Sequence, residues 1–238
     1  MILLDIEGTT TPIAFVTDTL VPYARVHLHA HLEHNAGAPH CAALLDAFRR
    51  EHQADLEAGG SPPAWPGDAA QTLHAVEAYA AWLMDRDRKS PALKQLQGHI
   101  WAEGYRAGEL VAPVYPDVPV AFSRWRAAGA ALGIFSSGSV LAQQWLFRCS
   151  TAGDLTPHLQ WYFDTGIGPK REAASYRRLA RETGETPGAI LFISDVAAEL
   201  DAAREAGMRT VLALRPGNAP QPPHEHPAVT TFDEISSA

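Results

Sequence analysis

The sequence predicts an α/β fold, a doubly wound parallel sheet core with a helical cap domain inserted after the first strand. Three observations carry this. After Pro113 short apolar runs alternate with amphipathic helices, the pattern of a parallel sheet with crossover helices. Between about Asp18 and Leu110 the apolar residues keep helical spacing and no alternating strand stands out. Ahead of that block, Ile2 to Leu4 is apolar and β-friendly, so one strand of the sheet lies at the very start. A length of 238 residues, set against roughly 150 for an average domain, fits one core plus a large insertion. The core is expected from residues 1–17 and 111–238, and the cap from 18–110.

The elements follow in order. In the insertion, Leu20, Tyr23, Ala24, His27 and Leu28 share helical spacing, as do Leu44, Leu45 and Phe48, and then Val76, Tyr79, Ala80 and Leu83. The segment from Gly59 to Gly67 holds three prolines and three glycines and is a loop, with Asp68 placed to cap the next helix. In the core, strands are expected at Ala131 to Phe135, Trp161 to Phe163, Ala189 to Ile193 and Arg209 to Leu214. Helices fill the gaps: one up to about Phe147, one from Glu172 to Thr183 with Arg177, Arg178 and Arg181 on its solvent side, and one from Ala197 to Ala206. The Pro-rich tail after Pro216 reads as mobile chain.

Composition excludes several classes. With 46% hydrophobic and 19% charged residues the chain buries a core and is not globally disordered. The net charge of −8 has the wrong sign for a nucleic-acid binder, so an anionic substrate must meet a local cation. Ala127 to Phe147 is uncharged and long enough to span a bilayer. Gly133, Ser136, Ser137, Gly138, Ser139, Gln143 and Gln144 break it, and it reads as strand, turn and helix. The start, MILLDIEG, lacks the basic region of a secretion signal. Cys41 and Cys149 have no metal or redox spacing, and a soluble, reducing compartment fits.

Ligands of open parallel sheets bind beyond the carboxyl ends of the strands, and four strand ends here stop in polar residues. They are Asp5-Ile6-Glu7-Gly8-Thr9, Ser136-Ser137-Gly138-Ser139, Asp164 with Lys170 soon after, and Ser194-Asp195. Singly, each is more often a turn former or a helix cap. Together they fit phosphoryl transfer, which needs a nucleophile, a metal and a cationic clamp acting at once. Asp5 is the candidate nucleophile. Mg2+ on Asp5 and Asp195 would suppress its repulsion from the phosphate. Lys170 would neutralise further phosphate charge. Ser136 and the backbone N–H groups at Ser137 and Gly138 would hold phosphate oxygens. Glu7, on the same side of an extended strand end as Asp5, would protonate the leaving oxygen and later activate water.

The motif DIEGT resembles the Asp-x-Asp-x-Thr signature of the haloacid-dehalogenase-like (HAD) phosphohydrolases, with Glu7 in place of the second Asp. The serine turn, Lys170 and the run from Ser194 to Glu199 are similar to the remaining motifs of that family. The longer strings DIEGTTTPI, IFSSGSVLAQ, FDTGIGPK, SYRRLA, ILFISDV and RPGN look like its enolase-phosphatase branch, acting in methionine salvage, and DRDRKSPALKQLQGHIW resembles the helical cap of that branch. The resemblance covers nearly the whole chain. It implies a cytoplasmic monomer with one Mg2+ per subunit, no nucleic-acid or membrane partner, and a small phosphorylated diketone, 2,3-diketo-5-methylthiopentyl-1-phosphate, as substrate. It also implies substrate contacts from Ser136, Ser137 and Lys170, a metal site of Asp5, Asp195 and the Glu7 backbone carbonyl, and waters of the ion oriented by Glu199. Lys89, Lys94, Gln95 and Gln97 are its candidates in the cap. The longer side chain of Glu7 would also reach a carbon-bound proton beside the ketone, which suggests a part in enolisation.

Rival readings are weaker. His27, His29, His31 and His34 suggest zinc, but only His27 and His31 share a helix face. A serine esterase would pair Ser136 with Asp195 and His224 or His226, yet Ile134 stands where the nucleophile elbow needs glycine. TGIGPK is neither a dinucleotide fingerprint nor a P-loop. The main competitor is a phosphatase of the same fold for another small phosphorylated metabolite.

Overall fold

The computed structural model describes residues 1–36, 38–66, 72–86, 88 and 90–236. The chain forms two compact units, Met1–Thr17 with Tyr105–Ala238, and Asp18–Gly104.

In the first unit β1 (Ile2–Leu4) is followed by the short α1 (Ile13–Phe15). The second unit holds α2 (Val21–Asn35), α3 (Pro39–Glu57), α4 (Thr72–Met84) and most of α5 (Pro91–Ala107). The chain returns to the first unit at Tyr105, inside α5, whereas the texture of the sequence changes only at Pro113. Then come α6 (Asp117–Ala127), β2 (Leu132–Phe135), α7 (Val140–Arg148), β3 (Trp161–Phe163), α8 (Ala173–Thr183), β4 (Leu191–Ser194), α9 (Ala197–Glu205), β5 (Arg209–Ala213) and β6 (Ala228–Val229).

The six strands form one parallel sheet in the order β3-β2-β1-β4-β5-β6. The order reverses direction between β1 and β4, and that switch point is where open α/β sheets take their ligands. Leu4 sits opposite Ile134 on β2 and Ile193 on β4. The register therefore sets Asp5 level with Phe135 and Ser194. Every residue of β1, β2 and β4 is buried, as expected of strands covered on both faces. Although β1 is only three residues long, Met1, Ile2 and Asp5 add backbone bonds to Ala189, Ala131 and Ile193.

The helices of this unit form for local reasons. Val118, Ala121, Phe122 and Trp125 line one buried face of α6. The Ser139 hydroxyl accepts from Ala142 N at 3.3 Å and caps α7. Gly184, at φ 75°, closes α8 in the left-handed conformation that glycine adopts without cost.

In the second unit, α2 and α3 pack on α4. Ala24, Leu28, Leu44, Phe48, Val76, Tyr79, Ala80 and Leu83 are buried there, all of them residues whose spacing marked the helices. Asp68 and Lys89 lie outside the described residues. No helix of the described residues is long and apolar enough to cross a membrane.

The tail departs from its expectation as mobile chain. Ala228–Val229 adds a sixth strand to β5, and Thr231 with Glu234 forms a capping box over a closing 3-10 turn. The prolines end at Pro227, whose carbonyl accepts from Leu212 N, and Leu214 N donates to the Val229 carbonyl. The fourth strand also starts two residues later than expected, because Pro187–Ala189 folds as a 3-10 turn.

Candidate active site

The carboxyl ends of β1 and β4 bring together the carboxylates and the lysine singled out in the sequence. Asp5 Oδ1 accepts from its neighbour Ile6 N at 2.8 Å, and Oδ2 faces Lys170 Nζ at 2.8 Å. Lys170 arrives from the segment after β3, where Tyr176 Oη donates to the Lys170 carbonyl at 2.7 Å and Ser175 Oγ to the Pro169 carbonyl at 2.7 Å. Gly168, at φ 139°, gives this segment its sharp course, and a Cβ there would collide with Ser175. The ammonium also meets Glu199 Oε2 at 2.6 Å and lies over the Phe135 ring.

Glu199 joins the same cluster. Its Oε2 turns inward from α9 to Lys170 and accepts from the Ser194 hydroxyl at 3.0 Å. Ser194 Oγ in turn accepts from Val196 N at 3.2 Å, fixing the turn that carries Asp195.

Asp5 and Glu199 thus share one buried ammonium, and Asp195 feels the charges of all three. Burial pushes the Asp195 carboxyl up to about 7, helped by the charges of Asp5 and Glu199. Burial and the Asp5 charge raise Glu199 as well. Burial alone would lower the Lys170 ammonium, but the two carboxylates at its side outweigh that and raise it. The side chains of the site are therefore acidic in sum, with Lys170 as their cation. Among the described residues no three His, Cys, Asp or Glu side chains are grouped to hold a metal ion unaided.

Two serines of the β2 turn differ in placement. Ser136 is buried, its N bonded to the Phe163 carbonyl and its Oγ accepting from Gly138 N at 3.3 Å, whereas Ser137 is exposed. The Gln143 amide, unnoticed in the sequence, ties the turn to the end of β3 by donating to the carbonyls of Gly138 and Phe163, both at 2.9 Å. Glu7 is half-buried and bridges to Thr11 through the backbone.

Sequence reasoning also missed what holds the turn after β1. Arg215 Nε donates to the Thr9 carbonyl at 3.1 Å and Asn218 Nδ2 to the Gly8 carbonyl at 2.9 Å. Gly8, at φ 65°, has no room for a side chain, since its Cβ would stand 2.5 Å from Asp195 Oδ2 and 2.7 Å from Asn218 Oδ1. The RPGN string containing both residues was the one signal available.

The rival sites come apart. His226 is buried between Thr210 and Asp201 and His224 bonds the His226 backbone, so neither serves Ser136. In the second unit His27 stacks on Tyr23, while His31 pairs with Glu103. Lys94, Gln95 and Gln97 stand on α5 with side chains at least partly exposed.

Known proteins place this architecture. The model of the haloacid dehalogenase-like hydrolases matches residues 1–207. The chain is 51% identical to the enolase-phosphatase E1 of Synechococcus elongatus over 98% of its own length and 96% of that protein. It is 43% identical to a Vitis vinifera protein named as a probable bifunctional methylthioribulose-1-phosphate dehydratase/enolase-phosphatase E1, covering 98% of this chain and 46% of that one. The crystal structure of the UTR4 protein of Saccharomyces cerevisiae superposes with a TM-score of 0.78 at 33% identity, over 99% of both chains. The chain belongs to the haloacid dehalogenase-like hydrolase family, among its enolase-phosphatases.

Proposed function

We propose that this protein is a Mg2+-dependent enolase-phosphatase that enolises 2,3-diketo-5-methylthiopentyl-1-phosphate and then hydrolyses its phosphate ester, releasing acireductone and phosphate. The observation that carries the reading is the buried meeting of Asp5, Lys170, Glu199 and Asp195 at the β1/β4 switch point, in a chain so similar to proteins of that name.

The donor set fits Mg2+. Three largely buried carboxylates stand with one ammonium, an excess of negative charge that a divalent cation offsets. Magnesium characteristically takes one or two carboxylates together with substrate phosphate and waters, and so needs no cluster of three side chains. Asp5, Asp195 and the Glu7 carbonyl would hold it. When bound, it neutralises phosphate charge and lets a carboxylate approach phosphorus.

The chain's own residues do the rest. Asp5, oriented through both oxygens by Ile6 N and Lys170, attacks phosphorus and forms an acyl-phosphate, while the ester oxygen leaves with a proton from Glu7. Water, deprotonated by Glu7, then frees the phosphate and regenerates Asp5. Lys170 bears the charge on a phosphate oxygen. Ser136 Oγ, which accepts from Gly138 N, keeps its hydrogen to donate to another, with Ser137 and the N–H groups of the turn beside it. In the first reaction Glu7 takes the proton from the carbon beside the ketone. One chain carries every residue of the cluster, which supports a monomer as the working unit. The family resemblance supports a cytoplasmic setting.

The test is to give the purified protein the diketo phosphate with Mg2+ and to follow both the ultraviolet band of the conjugated enediol and free phosphate. Both signals are expected. Phosphate released from generic esters with no enediol band would point to a different small phosphorylated metabolite. Glu7→Asp should lower enolisation more than hydrolysis of a simple ester, and equal losses would remove Glu7 from the first step.

A further inference from the structure

Asn218 lies in the loop between β5 and β6. Its Nδ2 donates to the Gly8 carbonyl at 2.9 Å and to the Ala213 carbonyl at 3.1 Å. With both amide hydrogens committed to carbonyls, the orientation of the amide is decided and Oδ1 is turned the other way. That oxygen is buried and has no hydrogen-bond partner among the described residues. It stands 2.7 Å from the point a Cβ would take on Gly8, and Asp195 Oδ2 stands 2.5 Å from the same point.

Two acceptor oxygens, one amide and one carboxylate, therefore flank Gly8. A buried acceptor without a donor is costly, and a native protein that keeps one gives it a use. Neither oxygen donates to the other. A hydrated cation satisfies both, because its charge suits the carboxylate and its waters are strong donors. Magnesium keeps several of its waters when bound to protein.

We propose that Asn218 is a positioning residue of the cation site, its Oδ1 accepting a hydrogen bond from a water in the hydration shell of the Mg2+ held by Asp5 and Asp195. The inference rests on the metal reading given above and deepens it. The loop is set for the task. Arg215 anchors its start, Gln221 Oε1 accepts from Ala197 N at 3.0 Å, and His226 fixes its far end between Thr210 and Asp201.

The test measures Mg2+ binding to the full chain by isothermal titration calorimetry, without substrate, for wild type, N218A and N218D. N218A loses both the donor and the acceptor, whereas N218D loses the donor and keeps the acceptor. N218A should bind Mg2+ roughly tenfold more weakly, the scale on which residues around a metal's own ligands act, while N218D binds at least as tightly as wild type. If N218D is as weak as N218A, Asn218 serves only the Gly8 turn and the proposal fails. It also fails if N218A binds like wild type. Should N218A not fold, N218D decides alone, with weaker binding than wild type overturning the proposal. A wild-type protein that takes up no Mg2+ at millimolar concentration overturns the metal reading, and this inference with it.

Discussion

Two buried charged clusters stand in the unit that carries the sheet, and they are built to opposite rules. Arg215 and Asp117 form a one-to-one pair, bidentate at 2.8 and 3.1 Å. Two further Arg215 donors go to the carbonyls of Thr9 and Thr230, its guanidinium lies against the Tyr115 and Phe232 rings, and Asp117 Oδ2 also accepts from Phe232 N. Around Lys170, equally buried, two carboxylates share one ammonium, and a third, Asp195, feels all three charges and is pushed far from its ordinary range. The first cluster is balanced in charge and densely hydrogen-bonded, and it joins α6, the turn after β1 and the segment around Thr230 and Phe232. The second is left unbalanced, which costs stability and makes sense where a cation and a phosphate are to complete the charge.

The sharpest way to break this comparison is to remove one charge from each cluster. Asp5→Asn should lower phosphate release by at least about 10³-fold, the scale on which loss of a nucleophile acts. It should leave the urea midpoint of the metal-free protein unchanged or higher, because it thins a crowd of like charges. A midpoint falling as far as that of an Arg215 variant would show the Lys170 cluster to be structural. Arg215→Met strands Asp117 without its partner, and removal of one member of a buried pair costs about 3–5 kcal/mol. Urea unfolding should read that loss directly. Arg215→Lys should recover only part of it, since an ammonium lacks the fork that meets both carboxylate oxygens. A loss under about 1 kcal/mol for Arg215→Met, the range of an exposed pair, would erase the distinction between the clusters.

The sequence made one of these clusters far easier to see than the other. Asp5 and Ser194-Asp195 follow buried apolar runs directly, and a polar stop after such a run marks a strand end whatever the rest of the chain does. The direction in which Glu199 points was not visible, because a glutamate in the first turn of α9 serves equally well on the solvent face, and only the arrival of Lys170 from another crossover turns it inward. Arg215 and Asn218 were legible only as part of a family string. Their partners Thr9 and Gly8 lie 206 and 210 residues away, a separation no local pattern encodes. The last strand escaped for a different reason. Two residues after a Pro-rich run give no period to read, and β6 exists because β5 offers an open edge to pair with.

The smallest effect, and the one specific to the unbalanced cluster, lies in the pH dependence of stability. Asp195 titrates near 7 in the folded chain against an ordinary value of 3.8. The folded state therefore holds this proton more tightly than the unfolded state does. The stability so gained is full below 3.8 and is lost as pH rises through the window from there to about 7. Mg2+ binds the ionised carboxylate and displaces the proton, so the ion should stabilise the protein little at pH 5 and progressively more up to pH 8. Thermal midpoints recorded across that range with Mg2+ and with a chelator should diverge as pH increases. In Asp195→Asn the two curves should run parallel, since no proton is left to displace at that position. Parallel curves in the wild-type protein would mean that the crowded carboxylates are not where the ion binds. The Arg215–Asp117 pair, whose two charges cancel each other, should respond to neither Mg2+ nor chelator at any pH in the range.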